Sequence, residues 1–296
     1  MPRNLKNPTT YEEQIDRLKS RGLIVVDETA AAKALQHLNY YRLSGYWYQF
    51  LKPNDKFRKG ASFELVRSIH EFDMELRHLL MHELESLEIY FRTQLSYLFA
   101  HKHGEAGHYH SENFKTAKYH DAFLIDLTRA MEKNKDAPFV AHHFNVYGGM
   151  MPLWCAVEIL SFTALSKFYN NLSNTDQREF AKKMDYDAAY MSNWFHALSV
   201  LRNICAHYGR LYNRTMSPPI SLGPKTLRSN RQIMQDSLFA YIVVILRCQA
   251  TFDRKTAIIS DLTKLLIRYN ESIDISLLGF PSEWEQLLSD DILISR

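Results

Sequence analysis

From Ala188 to Gln235 the chain contains no aspartate or glutamate, although the two total 33 over its 296 residues. Arg202, Arg210, Arg214, Lys225, Arg228 and Arg231 all fall inside that window. The overall formal net charge of +3 is too small to name a partner. A stretch with cations and no acids says more, because it is the electrostatic footprint expected for a polyanion. The competing reading pairs this basic surface with the tail after Asn270. There Glu271, Asp274, Glu283, Glu285, Asp290 and Asp291 stand against Arg296 alone.

Cysteine is scarce. Cys155, Cys205 and Cys248 have no metal-site spacing and form no even-numbered set, which argues against a disulfide scaffold or a cysteine-based zinc site. They read as buried thiols in a reducing compartment. No apolar run reaches transmembrane length, and Met1-Pro2-Arg3-Asn4-Leu5-Lys6 lacks the apolar core of a signal peptide. A cytoplasmic protein with no membrane partner is expected. Internal repeats and low-complexity segments are lacking too. Strand signals are sparse: Leu23-Ile24-Val25-Val26 is a short β-branched run that equally suits an extended link. What the chain has in quantity is apolar surface, with 46% hydrophobic residues and 17 each of Tyr and Phe. That is ample for a sizeable core.

The apolar spacing is helical nearly throughout. Thr10 with Glu13 predicts a capped helix over Tyr11–Arg21, and a second is expected from Glu28 to about Asn39. The aromatic block Tyr40 to Phe50 and a charged loop ending at Gly60 follow. Ser62 to about His103 is the longest pattern, either one helix or two joined end to end. Further helices are expected over 117–133, 153–169, 176–184, 187–208, 233–251, 257–269 and 282–288. Pro138 opens an irregular stretch through Gly149. The expected fold is all-α: a helical bundle over 61–296 with an N-terminal helical extension over 1–60, the two making one continuous unit.

The most informative run lies in the acid-free window, from Leu201 to Arg214. On a wheel of about 100° per residue, Trp194, Leu198, Leu201, Ile204, Cys205 and Tyr208 share an apolar face. His196, Ser199, Asn203, His207 and Arg210 share the polar one, with Arg202 at its edge. Histidine trades a proton near neutral pH, and arginine offers phosphate a fixed fork of donors. Asn203 stands four residues before His207, one helical turn away. These groups suit RNA cleavage by attack of a 2′-hydroxyl on the adjacent phosphodiester, which needs acid–base help and charge stabilisation but no metal. One histidine does not easily serve both sides of one phosphorus, so a homodimer offering Arg202 and His207 twice is expected.

Arg202-Asn203-Ile204-Cys205-Ala206-His207 resembles the R-N-x-x-x-H form of the Rx4-6H signature of HEPN ribonucleases. The run on through Arg210-Leu211-Tyr212-Asn213-Arg214 is similar to the Abi-like (AbiD/AbiF) abortive-infection family. So is Leu38-Asn39-Tyr40-Tyr41-Arg42-Leu43-Ser44-Gly45-Tyr46. Glu88-Ile89-Tyr90-Phe91-Arg92-Thr93 and Pro152-Leu153-Trp154 also fit, and the resemblance runs roughly from Tyr11 to the mid-220s. It implies a HEPN-type bundle and a metal-independent endoribonuclease with Arg202, Asn203 and His207 as catalytic residues. Single-stranded RNA would be the substrate and cyclic phosphate the product end; neither DNA nor a cofactor is expected. It further implies a toxin or phage-defence effector held in check, with a small non-coding RNA as candidate antitoxin. The alternative is a non-catalytic HEPN module that binds RNA or an antitoxin.

Around the motif, Arg210, Tyr212, Asn213, Arg214, Lys225 and Arg42 are candidate RNA-binding residues. Tyr212 has a second reading as a packed side chain, and Asn213 as a cap of the helix end. Arg42, set among aromatics, needs a partner, either a carboxylate or phosphate. Tyr40, Tyr46 and Trp47 read as core rather than as base-stacking groups, and Gly45 as a point of close packing. His101, His103, His108 and His110 read as solvated loop histidines rather than as a metal site. Glu88 and Arg92 form an i, i+4 ion pair. By the HEPN resemblance, that pair would support Arg202 or Asn203.

Overall fold

The computed structural model describes residues 5, 7–223, 232–251 and 256–289. Among these the chain is all-α, with thirteen α-helices. The first three are α1 (Tyr11–Ser20), α2 (Glu28–His37) and α3 (Tyr40–Trp47). α1 starts with the capping box expected: Thr10 Oγ1 accepts from the Glu13 amide at 3.2 Å, and Glu13 accepts from the Thr10 amide at 2.8 Å. Val25 and Val26 belong to no sheet; Ile24 makes one isolated bridge to Ser62, so the β-branched run is an extended link.

Phe63–His103 is a single helix of 41 residues, α4, about 60 Å long. Ser62 caps it, and Phe63, Val66, Ile69, Phe72, Leu76, Leu80, Leu84, Leu87, Phe91 and Leu95 run buried along its length. Nothing between them interrupts the three- and four-residue spacing. After it come α5 (Ala117–Lys133), α6 (Pro138–Tyr147), α7 (Leu153–Ile159), α8 (Phe162–Asn171), α9 (Asn174–Lys183) and α10 (Ala188–Ala206). α11 (Leu238–Ala250), α12 (Ile258–Arg268) and α13 (Trp284–Ser289) complete the set.

Two expectations fail here for local reasons. Pro138 starts α6 instead of opening an irregular stretch, because its fixed φ suits the first helical position and its missing N–H is one no helix uses there. The pattern over 153–169 divides into α7 and α8: Leu160 is extended, and Ser161 Oγ accepts from the Ala164 amide at 3.1 Å to begin a new helix.

α11 is buried on every side from Leu238 to Gln249, the signature of a central helix. α4 packs against α3, α7, α10, α11 and α12, and α10 lies between α4 and α8. Phe195 of α10 fixes that placement. Its ring meets Phe91 of α4 at 4.6 Å and stacks on Tyr169 of α8 at 4.7 Å. Ile15, Leu18, Leu43, Tyr46 and Trp47 join the same continuous core, so the N-terminal helices are packed into the body of the molecule.

Candidate active site at the end of helix α10

α10 begins at Asp187, whose carboxylate accepts from the Ala189 amide at 2.8 Å. It buries Met191, Trp194, Phe195, Leu198, Leu201 and Cys205. Ser199, expected on the polar face, is also buried and donates to the His196 carbonyl at 2.8 Å. The helix closes earlier than its apolar pattern suggests. His207 is the C-cap, Tyr208 turns left-handed at φ 58°, and the amides of Tyr208 and Gly209 donate back to Cys205 and Ile204. This is a Schellman closure with a tyrosine where glycine is the usual occupant. A left-handed L-residue costs roughly 1–2 kcal/mol. The turn throws the Tyr208 ring outward, 66% exposed, and off the apolar face assigned to it from the wheel.

Two of the three motif side chains have fixed partners. Arg202 Nε donates to Glu88 Oε2 at 3.0 Å, and the other oxygen of Glu88 is bound by Arg92. Arg92 in turn donates to the Val157 carbonyl of α7. One nearly buried carboxylate therefore bridges two guanidinium groups, and Arg202 remains 30% exposed. Asn203 Nδ2 donates to Thr163 Oγ1 of α8 at 3.1 Å. Its amide oxygen lies 3.5 Å from Arg202 Nη1, at the limit of a hydrogen bond. His207 is exposed at the helix end and joins Asn203 through the backbone alone, its amide donating to the Asn203 carbonyl at 3.0 Å.

The chain beyond is held from below. Asp73 of α4 has no solvent exposure, yet its carboxylate accepts from Leu211 N at 3.1 Å, Tyr212 N at 2.7 Å and the Tyr46 hydroxyl at 2.7 Å. Arg77 pairs with it and donates to the Gly209 carbonyl at 3.2 Å. Burial pushes the Asp73 carboxyl above its ordinary range, against the opposing pull of Arg77. Burial likewise raises Cys205 to about 12, so that thiol stays protonated.

The candidate RNA-binding residues divide accordingly. Tyr212 is 1% exposed, sits edge-on to Phe72, and its hydroxyl accepts from the Asp274 amide at 2.8 Å; it is a core residue, as its second reading had it. Arg210 lies along Gly45, where a Cβ would stand 3.4 Å from its Cδ, and Nη1 donates to the carbonyls of Tyr212 and Asn213 at 2.8 and 3.0 Å. It shapes the loop. Asn213 and Arg214 are exposed, with Asn213 left-handed at φ 52° rather than capping the helix. Among the described residues Arg42 pairs with no carboxylate; its Nη1 donates to the Tyr208 carbonyl at 3.0 Å, which brings this exposed arginine beside the motif. Lys225 lies outside the described residues, as do Arg228 and Arg231. Among the described residues Arg202, Arg210 and Arg214 make no salt bridge with Glu271, Asp274, Glu283 or Glu285.

A sequence profile of the Abi-like protein family matches residues 33–213, more than half of the chain and the whole span from the aromatic block to the loop after His207. The chain belongs to the Abi-like protein family. The matched segment is shorter than the resemblance read from the sequence, leaving out α1 and everything after Asn213. Neither the characterised proteins nor the solved structures yield a match. Membership supports an abortive-infection-related role. Among the described residues of this Abi-like protein no helix is long and apolar enough to cross a membrane.

The histidines of 101–110 each go their own way. His101 lies tilted against Tyr97 with ring centroids 4.0 Å apart, His103 meets Asp176 at 3.1 Å, His108 is fully buried and His110 stands near Glu112. Among the described residues no three or more His, Cys, Asp or Glu side chains converge as metal ligands. Two contributors escaped sequence reasoning, Asp73 and Tyr208. The first is separated from the Leu211 and Tyr212 amides it holds by 138 and 139 residues, and the second was hidden by its apolar place in the helical phase.

Proposed function

We propose that this chain is a metal-independent endoribonuclease of HEPN type, cutting single-stranded RNA as a toxin or abortive-infection effector. The observation that carries the reading is the division of labour on α10. Arg202 and Asn203 are fixed by Glu88 and Thr163, while His207 stays open at the helix end beside Arg42. Held guanidinium and free imidazole are what phosphoryl transfer asks for. In the reaction, neutral His207 takes the proton of a 2′-hydroxyl as its oxygen attacks the adjacent phosphorus. Arg202 stabilises the charge that gathers on the phosphorane. The 5′-oxygen leaves with a proton from the charged His207 of a second copy, giving a 2′,3′-cyclic phosphate and a 5′-hydroxyl. Asn203 fixes the orientation of the Arg202 guanidinium. Uncontrolled cleavage would kill the host, so the active pair is restrained in healthy cells, with a small RNA as the candidate restraint.

The Arg202–Glu88–Arg92 pairing also fits a second reading, a binding module in which Arg202 is structural and the basic rim holds RNA or an antitoxin. Labelled single-stranded RNA incubated in EDTA with native protein and with His207→Ala separates them. Cleavage should fall about 10²- to 10⁴-fold in the variant, with most affinity kept because several phosphate contacts carry it. Tight binding by both proteins with no cutting by either, at any protein concentration, would leave the binding module.

A further inference from the structure

We propose that Tyr208 is the base-stacking platform of this site, holding the unpaired nucleobase next to the phosphate that His207 and Arg202 address; the inference rests on the RNA-cleavage reading above. Four non-glycine residues among those described have a left-handed backbone: Asp55, Asp185, Tyr208 and Asn213. Asp and Asn tolerate that region because a short polar side chain compensates locally. Tyrosine has no such compensation. Gly209 stands one residue further on and is needed there for another reason, since a Cβ would lie 2.9 Å from Ile204 Cγ2 and 3.1 Å from its carbonyl oxygen.

The ring gives the fold nothing in return for that strain. Tyr208 is mostly exposed and takes no part in the hydrophobic core. Tyr41 and Tyr48 are more exposed still, but both sit in helical backbone, so exposure alone does not single out Tyr208. Backbone strain kept at a position with no packing role marks a constraint from function. Location says which one. Tyr208 directly follows His207, and its carbonyl is tied to Arg42, so the main chain under the ring is fixed. An aromatic face flanked by an imidazole and a guanidinium, in a stretch without acids, suits a base on the ring and its phosphates on the cations. In the dimer that the cleavage reading calls for, the second copy brings further cations, its own Arg42, His207 and Arg214, around the phosphate rather than an apolar surface that would cover the ring.

Tyr208→Gly removes the ring and relaxes the backbone at once, so the variant keeps its fold with an unchanged or raised melting temperature. Tyr208→Phe restores the π face without the hydroxyl. Single-stranded RNA carrying 2-aminopurine at successive positions is titrated against His207→Ala protein, alone and combined with each Tyr208 change, while KM and kcat are followed for the single variants. Stacking predicts quenching at one position, lost with Gly and largely recovered with Phe. It also predicts Kd and KM raised about ten- to hundred-fold by Gly, the worth of one stacked base, with kcat changing less. Equal quenching by His207→Ala protein with and without Tyr208→Gly, together with equal KM for native and Tyr208→Gly proteins, would overturn the proposal. So would conversion of a dimer to a monomer by Tyr208→Gly in light scattering, which would assign the ring to self-association. If the protein binds RNA without cutting it, the quenching still decides the stacking role while the nuclease reading falls. If it binds no RNA, both fall.

Discussion

Asp73 and Glu88 stand outside the motif and hold it from α4, one through the Leu211 and Tyr212 amides and the other through Arg202. Each is a carboxylate on α4 shut away from water, and each is matched by a guanidinium and further donors. A buried ion is tolerable only with such a complete set of partners, and losing one member leaves the other charge stranded. Asp73→Ala would strand Arg77 and orphan the amides of Leu211 and Tyr212. It should cost about 3–5 kcal/mol, read as a lowered urea midpoint with an unchanged slope. Legibility at this scale was uneven. Glu88 was reachable because its neighbour Arg92 is one turn away and the family resemblance raised the idea of support for Arg202. Asp73 has the same kind of neighbour in Arg77, but its bonds to the Leu211 and Tyr212 amides, 138 and 139 positions away, leave no mark in the local sequence. Arg42 was flagged correctly as needing a partner, but the partner is a backbone carbonyl 166 positions away, which no side-chain pattern encodes.

Among the elements, the end of α10 decides how the site is presented. A helix that ran on through Tyr208, as its apolar phase predicts, would have pointed that ring inward. The closure at His207 reverses it, and Gly209 makes the closure possible by letting the chain pass Ile204 closely. Gly209→Ala should destabilise by roughly 1–3 kcal/mol, because the Ile204 carbonyl cannot yield as a flexible side chain would. Thermal melting of the variant beside native protein tests it; an unchanged melting temperature would mean that the turn is looser than described. Helix starts were easier to read than this end. Thr10 with Glu13 announced α1 through side chains that bond their own neighbours. The stop of α10 is written in backbone geometry, with tyrosine standing where the rule looks for glycine, and so the sequence concealed it.

For the molecule as a whole, the all-α fold and its longest helix were legible because apolar spacing repeats along the chain, while the way helices meet was not. One consequence of the packing is a sensitivity to acid. Burial, first of all, holds His70 and His108 down to about 4, assisted by Arg77 and Arg42 for the one and by His120 for the other. A folded-state value below the unfolded 6.5 means that the unfolded chain takes up these protons first. Stability should therefore fall as pH drops from about 6.5 toward 4 and be flat in this respect above. His108→Phe, which suits a site packed against Tyr109 and Phe123, should flatten that limb when urea midpoints are compared at pH 7, 5.5 and 4.5. A limb unchanged by the substitution would place the acid sensitivity elsewhere. A second consequence follows from α4 being unbroken. Its two anchors for the motif, Asp73 and Glu88, are separated by about 22 Å of continuous helix. A residue inserted or deleted between them would swing one against the other by about 100° and release either Arg202 or the loop that carries Leu211. The same change in the turns after His103 would leave both grips intact, so a residue added there should be tolerated where one between Asp73 and Glu88 is not.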